Sequence, residues 1–171
     1  MKKSVLFIIL LFAVGMTAQA QKFALIDMEY ILKNIPAYER ANEQLNQASK
    51  KWQSEVEKVA EEAKTLYKNY QSEAVFLSEE QKGKKEEAIV AKEREAAELR
   101  RTYFGPEGEL FKKRESLMQP IQDEIYNAVK EISEQKGYSV VVDRASAASI
   151  IFASPQIDIS NEVLAKLGYS N

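Results

Sequence analysis

Tyr38 to Tyr70 reads YERANEQLNQASKKWQSEVEKVAEEAKTLYKNY, and the fold turns on how this stretch is read. Tyr38, Ala41, Leu45, Ala48, Trp52, Val56, Val59, Ala63, Leu66 and Tyr70 recur at alternating spacings of three and four. This is a heptad seam, with a single stutter between Trp52 and Val56 where the supercoil should unwind locally. Between the seam positions lie Glu43, Lys50, Lys51, Glu55, Glu57, Lys58, Glu61 and Glu62. Their spacing suits ion pairs on a solvated helix face.

The run extends in both directions, from Ala37 to Gln135, and folds once. Phe76-Leu77-Ser78-Glu79-Glu80-Gln81 interrupts the periodicity, and Ser78 followed three residues later by Gln81 has the form of a capping box, so a second helix starts at Ser78. Its seam begins weakly with Ile89, Lys92, Ala96, Leu99 and Tyr103, then firms through Leu110, Leu117, Ile121, Ile125, Ala128 and Ile132. Lys92 on the seam predicts a loosely packed tip. Gly105-Pro106-Glu107-Gly108 breaks this arm, yet Tyr103 and Leu110 are one heptad apart, so we expect a kink or bulge and not the arm's end.

Antiparallel pairing about a turn near Ser78 sets opposite residues to sum to about 156 to 160, giving arms of about 60 Å at 1.5 Å per residue. Pro36 then faces Pro120, marking where the arms leave a body, and Trp52 faces Phe104 to Gly108, where glycines leave room for an indole. A hairpin this long cannot be the core of a compact enzyme.

The ends differ in kind. Lys22 to Asp27 reads as a strand, followed by a helical turn from Met28 to Asn34 that Asp27 could cap. Tyr138 to Asp143 and Ser149 to Ala153 read as two more strands, and a last helix runs from Ser160 to Leu167 before Gly168. The predicted division is therefore a body made of residues 21–36 and 120–171, and an arm of residues 37–119 with its tip near 76–81. About fifty body residues approach the lower limit for an independent core, and three short strands leave open edges. Self-association solves both problems, with Phe23, Leu25, Ile26, Val140, Val142, Ile150 and Phe152 as the expected shared core.

Ahead of all this stand Met1-Lys2-Lys3, an apolar stretch from Val5 to Val14, and Ala18-Gln19-Ala20, the pattern of a signal peptide at residues 1–20 cleaved after Ala20. Without Lys2 and Lys3, the 24 basic residues fall to 22 against 26 acidic ones, a net charge of −4 for the mature chain. That balance gives no nucleic-acid footprint. Cysteine and histidine are absent, which removes disulfides, the usual zinc sites and Ser-His-Asp or Cys-His catalysis. Asp27, Asp143 and Arg144 lie at strand ends, where capping and turn formation account for them better than catalysis does. We expect no enzyme, no cofactor and no metal.

Phe23-Ala24-Leu25-Ile26-Asp27-Met28 with Ile31-Leu32 and Pro36, the charged hairpin, Tyr138-Ser139-Val140-Val141-Val142-Asp143, and the ending Ile159-Ser160-Asn161-Glu162-Val163-Leu164 together resemble the Skp (OmpH) family of periplasmic chaperones. The resemblance covers essentially the whole mature chain. It implies an α+β fold in which a long antiparallel coiled-coil hairpin projects from a small β body completed by trimerisation. It also implies an ATP-independent holdase that encloses unfolded outer-membrane β-barrel proteins between helical arms, without stable membrane insertion. Candidate client contacts are Tyr67, Tyr70, Phe76, Leu77 and Tyr103, with the lysines Lys82, Lys84 and Lys85. Tyr70 and Tyr103 lie on the seam, which favours hairpin packing for them. The best-known members are strongly basic whereas this mature chain is mildly acidic, so no lipopolysaccharide site is carried over. The alternative reading is a structural coiled-coil spacer of the cell envelope.

Overall fold

The computed structural model describes residues 21–147 and 149–169; the signal-peptide reading of residues 1–20 lies outside them. The elements in order are strand β1 (Lys22–Ile26), helices α1 (Met28–Lys33) and α2 (Pro36–Glu73), a 3-10 turn (Ala74–Phe76), helices α3 (Glu79–Phe104) and α4 (Glu109–Lys136), strand β2 (Tyr138–Asp143), a second 3-10 turn (Pro155–Ile157) and helix α5 (Ser160–Lys166). The chain is mostly helical, with a long helical hairpin and a small two-stranded sheet. The described residues divide into two compact units, one of residues 21–31 together with those between 127 and 169, the other Leu32–Tyr126.

In the first unit β1 and β2 pair in parallel, with Phe23 opposite Val140, Ala24 opposite Val141, Leu25 opposite Val142 and Ile26 opposite Asp143. The other edge of β1 is occupied by the C-terminal segment, where the Ile159 N–H donates to the Leu25 carbonyl at 2.8 Å beside a Leu25–Asp158 bridge. Ala24, Leu25, Ile26, Ile31, Ala128, Ile132, Ile159, Val163 and Leu164 are the buried apolar side chains of this unit. Asp27 caps α1 as its position predicts, its Oδ1 accepting the Tyr30 N–H at 2.9 Å. At the other end Gly168 takes a φ of +83°, a left-handed conformation that glycine adopts without strain, and Tyr169 N–H closes on Leu164 O at 2.8 Å.

The expected strand from Ser149 to Ala153 is not formed; Ser149 to Ala153 lie outside any strand, and Ile151 is fully exposed. A strand needs a ladder partner as well as β-forming residues. Within one chain β1 is paired on both sides, which leaves Ser149 to Ala153 without an edge of that strand to join.

In the second unit α2 and α3 pack as the antiparallel hairpin. Ser78 caps α3 with both halves of the expected box, Gln81 N–H to Ser78 Oγ at 3.3 Å and Ser78 N–H to Gln81 Oε1 at 2.9 Å. Ala41, Leu45, Val56 and Ala63 are buried on α2, and Ile89 on α3. Leu66, expected on the seam, is exposed, and so the apolar contact thins toward the tip. Pro36 stands in the first turn of α2, where its missing N–H costs nothing. Pro120 marks no helix end: α4 runs through it to Lys136.

The interruption after α3 is a complete break. Gly105 ends α3 with its N–H on Arg101 O at 2.9 Å, and Gly108 N–H returns to Gly105 O at 2.9 Å before α4 begins. A Cβ on Gly105 would lie 2.4 Å from Arg101 O, and one on Gly108 2.7 Å from Thr102 O. These glycines thus serve a close approach of backbone to backbone; they are not there to admit an indole.

Because Ile31 has no exposed surface, Ile31→Ala should cost about 2–5 kcal/mol through lost burial and a residual cavity. Val75→Ala, at a site 81% exposed, should stay within about 0.5 kcal/mol. Urea-unfolding midpoints with unchanged slope would check both.

Candidate functional site

The arm's register is set by Trp52. Its indole stacks on Tyr103 with ring centroids 5.2 Å apart and planes 9° from parallel, while Phe104 meets the Tyr103 ring edge-on at 6.4 Å. The partner is therefore Tyr103, the residue just before the expected span from Phe104 to Gly108. Gly105 to Gly108 have left the helix and present no flat surface to stack upon. Tyr103 also donates its hydroxyl to Glu55 Oε2 at 2.6 Å, a bond that raises the phenol's pKa because ionisation would oppose two negative charges.

Toward the tip the cross-arm contacts become polar. Lys92 Nζ lies 3.0 Å from Glu62 and 2.9 Å from Glu95, and these bonds, Glu95 foremost and then Glu62, hold its ammonium charged to higher pH than usual. Tyr70 donates to Glu86, which raises its pKa, and Lys85 pairs with Glu73. The sums of these pairs, 154 for Glu62 with Lys92, 156 for Tyr70 with Glu86 and 158 for Glu73 with Lys85, lie at or just below the predicted register.

The candidate contact residues fall into two groups. Tyr70 and Tyr103 are engaged inside the hairpin, and the tip lysines are all paired, Lys82 with Glu79 at 2.7 Å, Lys84 with Glu80 at 2.6 Å and Lys85 with Glu73. Phe76 remains 86% exposed and Tyr67 49% exposed, while Leu77 is half-buried in the turn. Sequence reasoning passed over Val75, Val90, Phe111 and Tyr126, all exposed. Val75 could have been found, since it adjoins Phe76 in a break between two seams. It also passed over a shallow groove of about 420 Å³ floored by Ala60, Ala63, Ala96 and Ala97 and edged by Tyr67. The available signal was alanine at seam positions 63 and 96.

In the first unit the charged residues form a closed network. Arg144 lies 3.1 Å from Asp27 Oδ2 through Nη2 and 3.3 Å from Asp158 Oδ2 through Nη1. The buried Ser160 donates its hydroxyl to Asp158 Oδ1 at 2.6 Å and accepts the Asp27 N–H at 2.8 Å. Asp143 Oδ1 accepts from Met28 N–H and Ala145 N–H, both at 3.0 Å. Burial alone would raise the Asp143 pKa, but hydrogen bonds from Met28, Ser146 and Ala145 outweigh it and bring the pKa below its ordinary value. The Asp27, Asp158, Ser160 and Met28 contacts tie residues near the two chain ends together, and the Ser160 hydroxyl is buried and bonded.

Of the expected body core, Leu25 and Ile26 are buried, Val142 and Ile150 half-buried, and Phe23, Val140 and Phe152 exposed in the single chain. Among the described residues no cluster of three or more acidic side chains could hold a metal ion, and no helix is long and apolar enough to cross a membrane.

The class defined by these features is a protein with one long helical hairpin and one small unit containing a two-stranded sheet, with exposed apolar groups at the hairpin tip. Residues 22–167 match the family model described as outer membrane protein (OmpH-like), and the chain belongs to that family of Skp-type chaperones. It is 25% identical over 154 residues, 89% of each chain, to the chaperone protein Skp of Yersinia enterocolitica. The solved structure of an OmpH-like protein from Caulobacter crescentus shares the fold, with a TM-score of 0.69 at 12% identity over 86% of this chain and 84% of that one.

Trp52 is the sole tryptophan, so its emission reports the stack directly. Tyr103→Ala should red-shift it, Tyr103→Phe should leave it nearly unchanged, and Trp52→Ala should lower stability by about 2–3 kcal/mol. The depressed Asp143 pKa means that its stabilising contribution is present above the unfolded-state value and is lost as pH falls through the folded one. Asp143→Asn keeps the acceptor for Met28 N–H but removes the charge, so it should flatten the acid limb of stability against pH by lowering stability at neutral pH toward its acid value.

Proposed function

We propose that the protein is an ATP-independent periplasmic holdase that receives unfolded outer-membrane β-barrel proteins between the helical arms of a homotrimer. The observation that carries this reading is the tip, where Val75 and Phe76 are 81% and 86% exposed while the neighbouring lysines are paired with glutamates. An unfolded barrel exposes alternating apolar side chains and unsatisfied strand edges in water. Scattered exposed apolar groups on a charged arm offer it many weak contacts, none strong enough to prevent release.

The body supports the trimeric part of the reading. Ile151, Phe152, Phe23 and Val140 are exposed in one chain, and Ser149 to Ala153 is β-forming sequence without a ladder. A shared core built from several copies would bury these residues and complete that strand. Export through the leader at residues 1–20 places the protein where such clients pass. The domain division of the functional trimer is then a body of residues 21–36 and 120–171 with an arm of residues 37–119.

The test is dilution of a urea-unfolded outer-membrane barrel protein with purified chaperone at one trimer per client, followed by light scattering. We expect suppression by the wild type, and several-fold weaker suppression by the double variant Val75→Ser, Phe76→Ser with its trimer mass intact. Undiminished suppression by that variant would remove the tip from the contact surface. A monomer in sedimentation at all concentrations would overturn the cage.

A further inference from the structure

We infer that the mature protein carries a pyroglutamyl N-terminus formed from Gln21. This rests on the export reading, in which cleavage after Ala20 leaves Gln21 as the first residue with a free α-amine. An α-amine titrates near pH 7.7–8.0, so a sizeable fraction is neutral and nucleophilic at neutral pH. Its nitrogen then attacks Cδ of the Gln21 side-chain amide. The new C–N bond closes a five-membered lactam, the bond from Cδ to the amide nitrogen breaks, and that nitrogen takes up the proton released by the amine and leaves as ammonia. No oxidant, reductant or second substrate enters the balance.

The geometry permits this step and gives it a consequence. Gln21 is exposed and lies outside β1, whose pairing begins at Lys22 opposite Tyr138, so closing the ring disturbs no ladder bond. Among the described residues no hydrogen bond holds its side-chain amide away from the backbone nitrogen. Only this one residue separates the new terminus from the strand that is paired on both sides. An aminopeptidase starting from a free amine would next remove Lys22, whose Nζ donates to Lys136 O at 3.2 Å, and then Phe23. The lactam has no free amine for such an enzyme to grip, so cyclisation protects the body's central strand and also removes the terminal positive charge.

The full precursor is expressed with its leader in a host that exports it, and the mature protein is analysed by intact mass and by the peptide released ahead of Asp27. We expect the peptide from residue 21 to 26 to be lighter by one ammonia, to take a single amine label, at Lys22 Nζ and none at its terminus, and to resist aminopeptidase. Gln21→Ala, which touches no strand bond, should take a second label at its free α-amine and be trimmed into β1. A peptide that starts at Gln21 with full mass after prolonged incubation at neutral pH overturns the proposal while leaving the cleavage site standing. A peptide starting at any other residue overturns both.

Discussion

The parallel pairing of β1 with β2 is the constraint on which the rest depends. Two antiparallel strands can be joined by a tight turn, whereas parallel strands need a crossover that returns the chain to its starting end. Here the crossover is everything between Ile26 and Tyr138, so the whole hairpin is one connection between two adjacent strands. The C-terminal segment then takes the second edge of β1 through Leu25, and Arg144 holds Asp27 and Asp158 together. The N-terminal strand is thereby clamped by residues that lie more than a hundred positions away, and any arm that leaves it must come back.

Given that constraint, the chemistry of the hairpin decides its mechanical character. Val56 and Ala63 are buried on α2, but α3 contributes only Ile89 to the buried apolar set. The cross-arm hydrogen bonds, ion pairs and ring contact are Tyr103 on Trp52 and Glu55, Lys92 on Glu62, Tyr70 on Glu86 and Lys85 on Glu73, among the described residues. Exposed ion pairs contribute roughly 0–1 kcal/mol each and weaken with salt. The distal hairpin is thus aligned by directional polar bonds and held by little apolar burial. Such bonds fix register well and resist separation poorly.

Much of this was legible in the sequence, because heptad spacing and capping are local signals. The seam positions Ala41, Leu45, Val56, Ala63, Ile89, Ile121, Ile125, Ala128 and Ile132 are all buried, and the Ser78 box forms as written. The failures are non-local. Ser149 to Ala153 has strand composition, but composition cannot supply a partner edge. Gly105 and Gly108 could be read as a break, whereas their cause, contact with the carbonyls of Arg101 and Thr102, exists only once the turn is built. Leu66 fits the seam by spacing, yet it lies in an open groove beside Lys92, which leaves it uncovered. For the tip, spacing identified Phe76 but could not foresee that Lys82, Lys84 and Lys85 would each be neutralised by a neighbouring glutamate.

That neutralisation bears on how a client would be held. A lysine already paired at 2.6 or 2.7 Å must break its bond before gripping a carboxylate elsewhere, so exchange of one ion pair for another gains little. Exposed Phe76 and Val75 face no such competition, since covering them releases water whatever apolar surface arrives. On the proposed holdase reading, specificity for extended apolar chain over folded protein would need no recognition motif: only an unfolded partner has loose apolar side chains to offer. Release follows from the same accounting, because a client that buries its own side chains on folding withdraws the surface on which the contact depended.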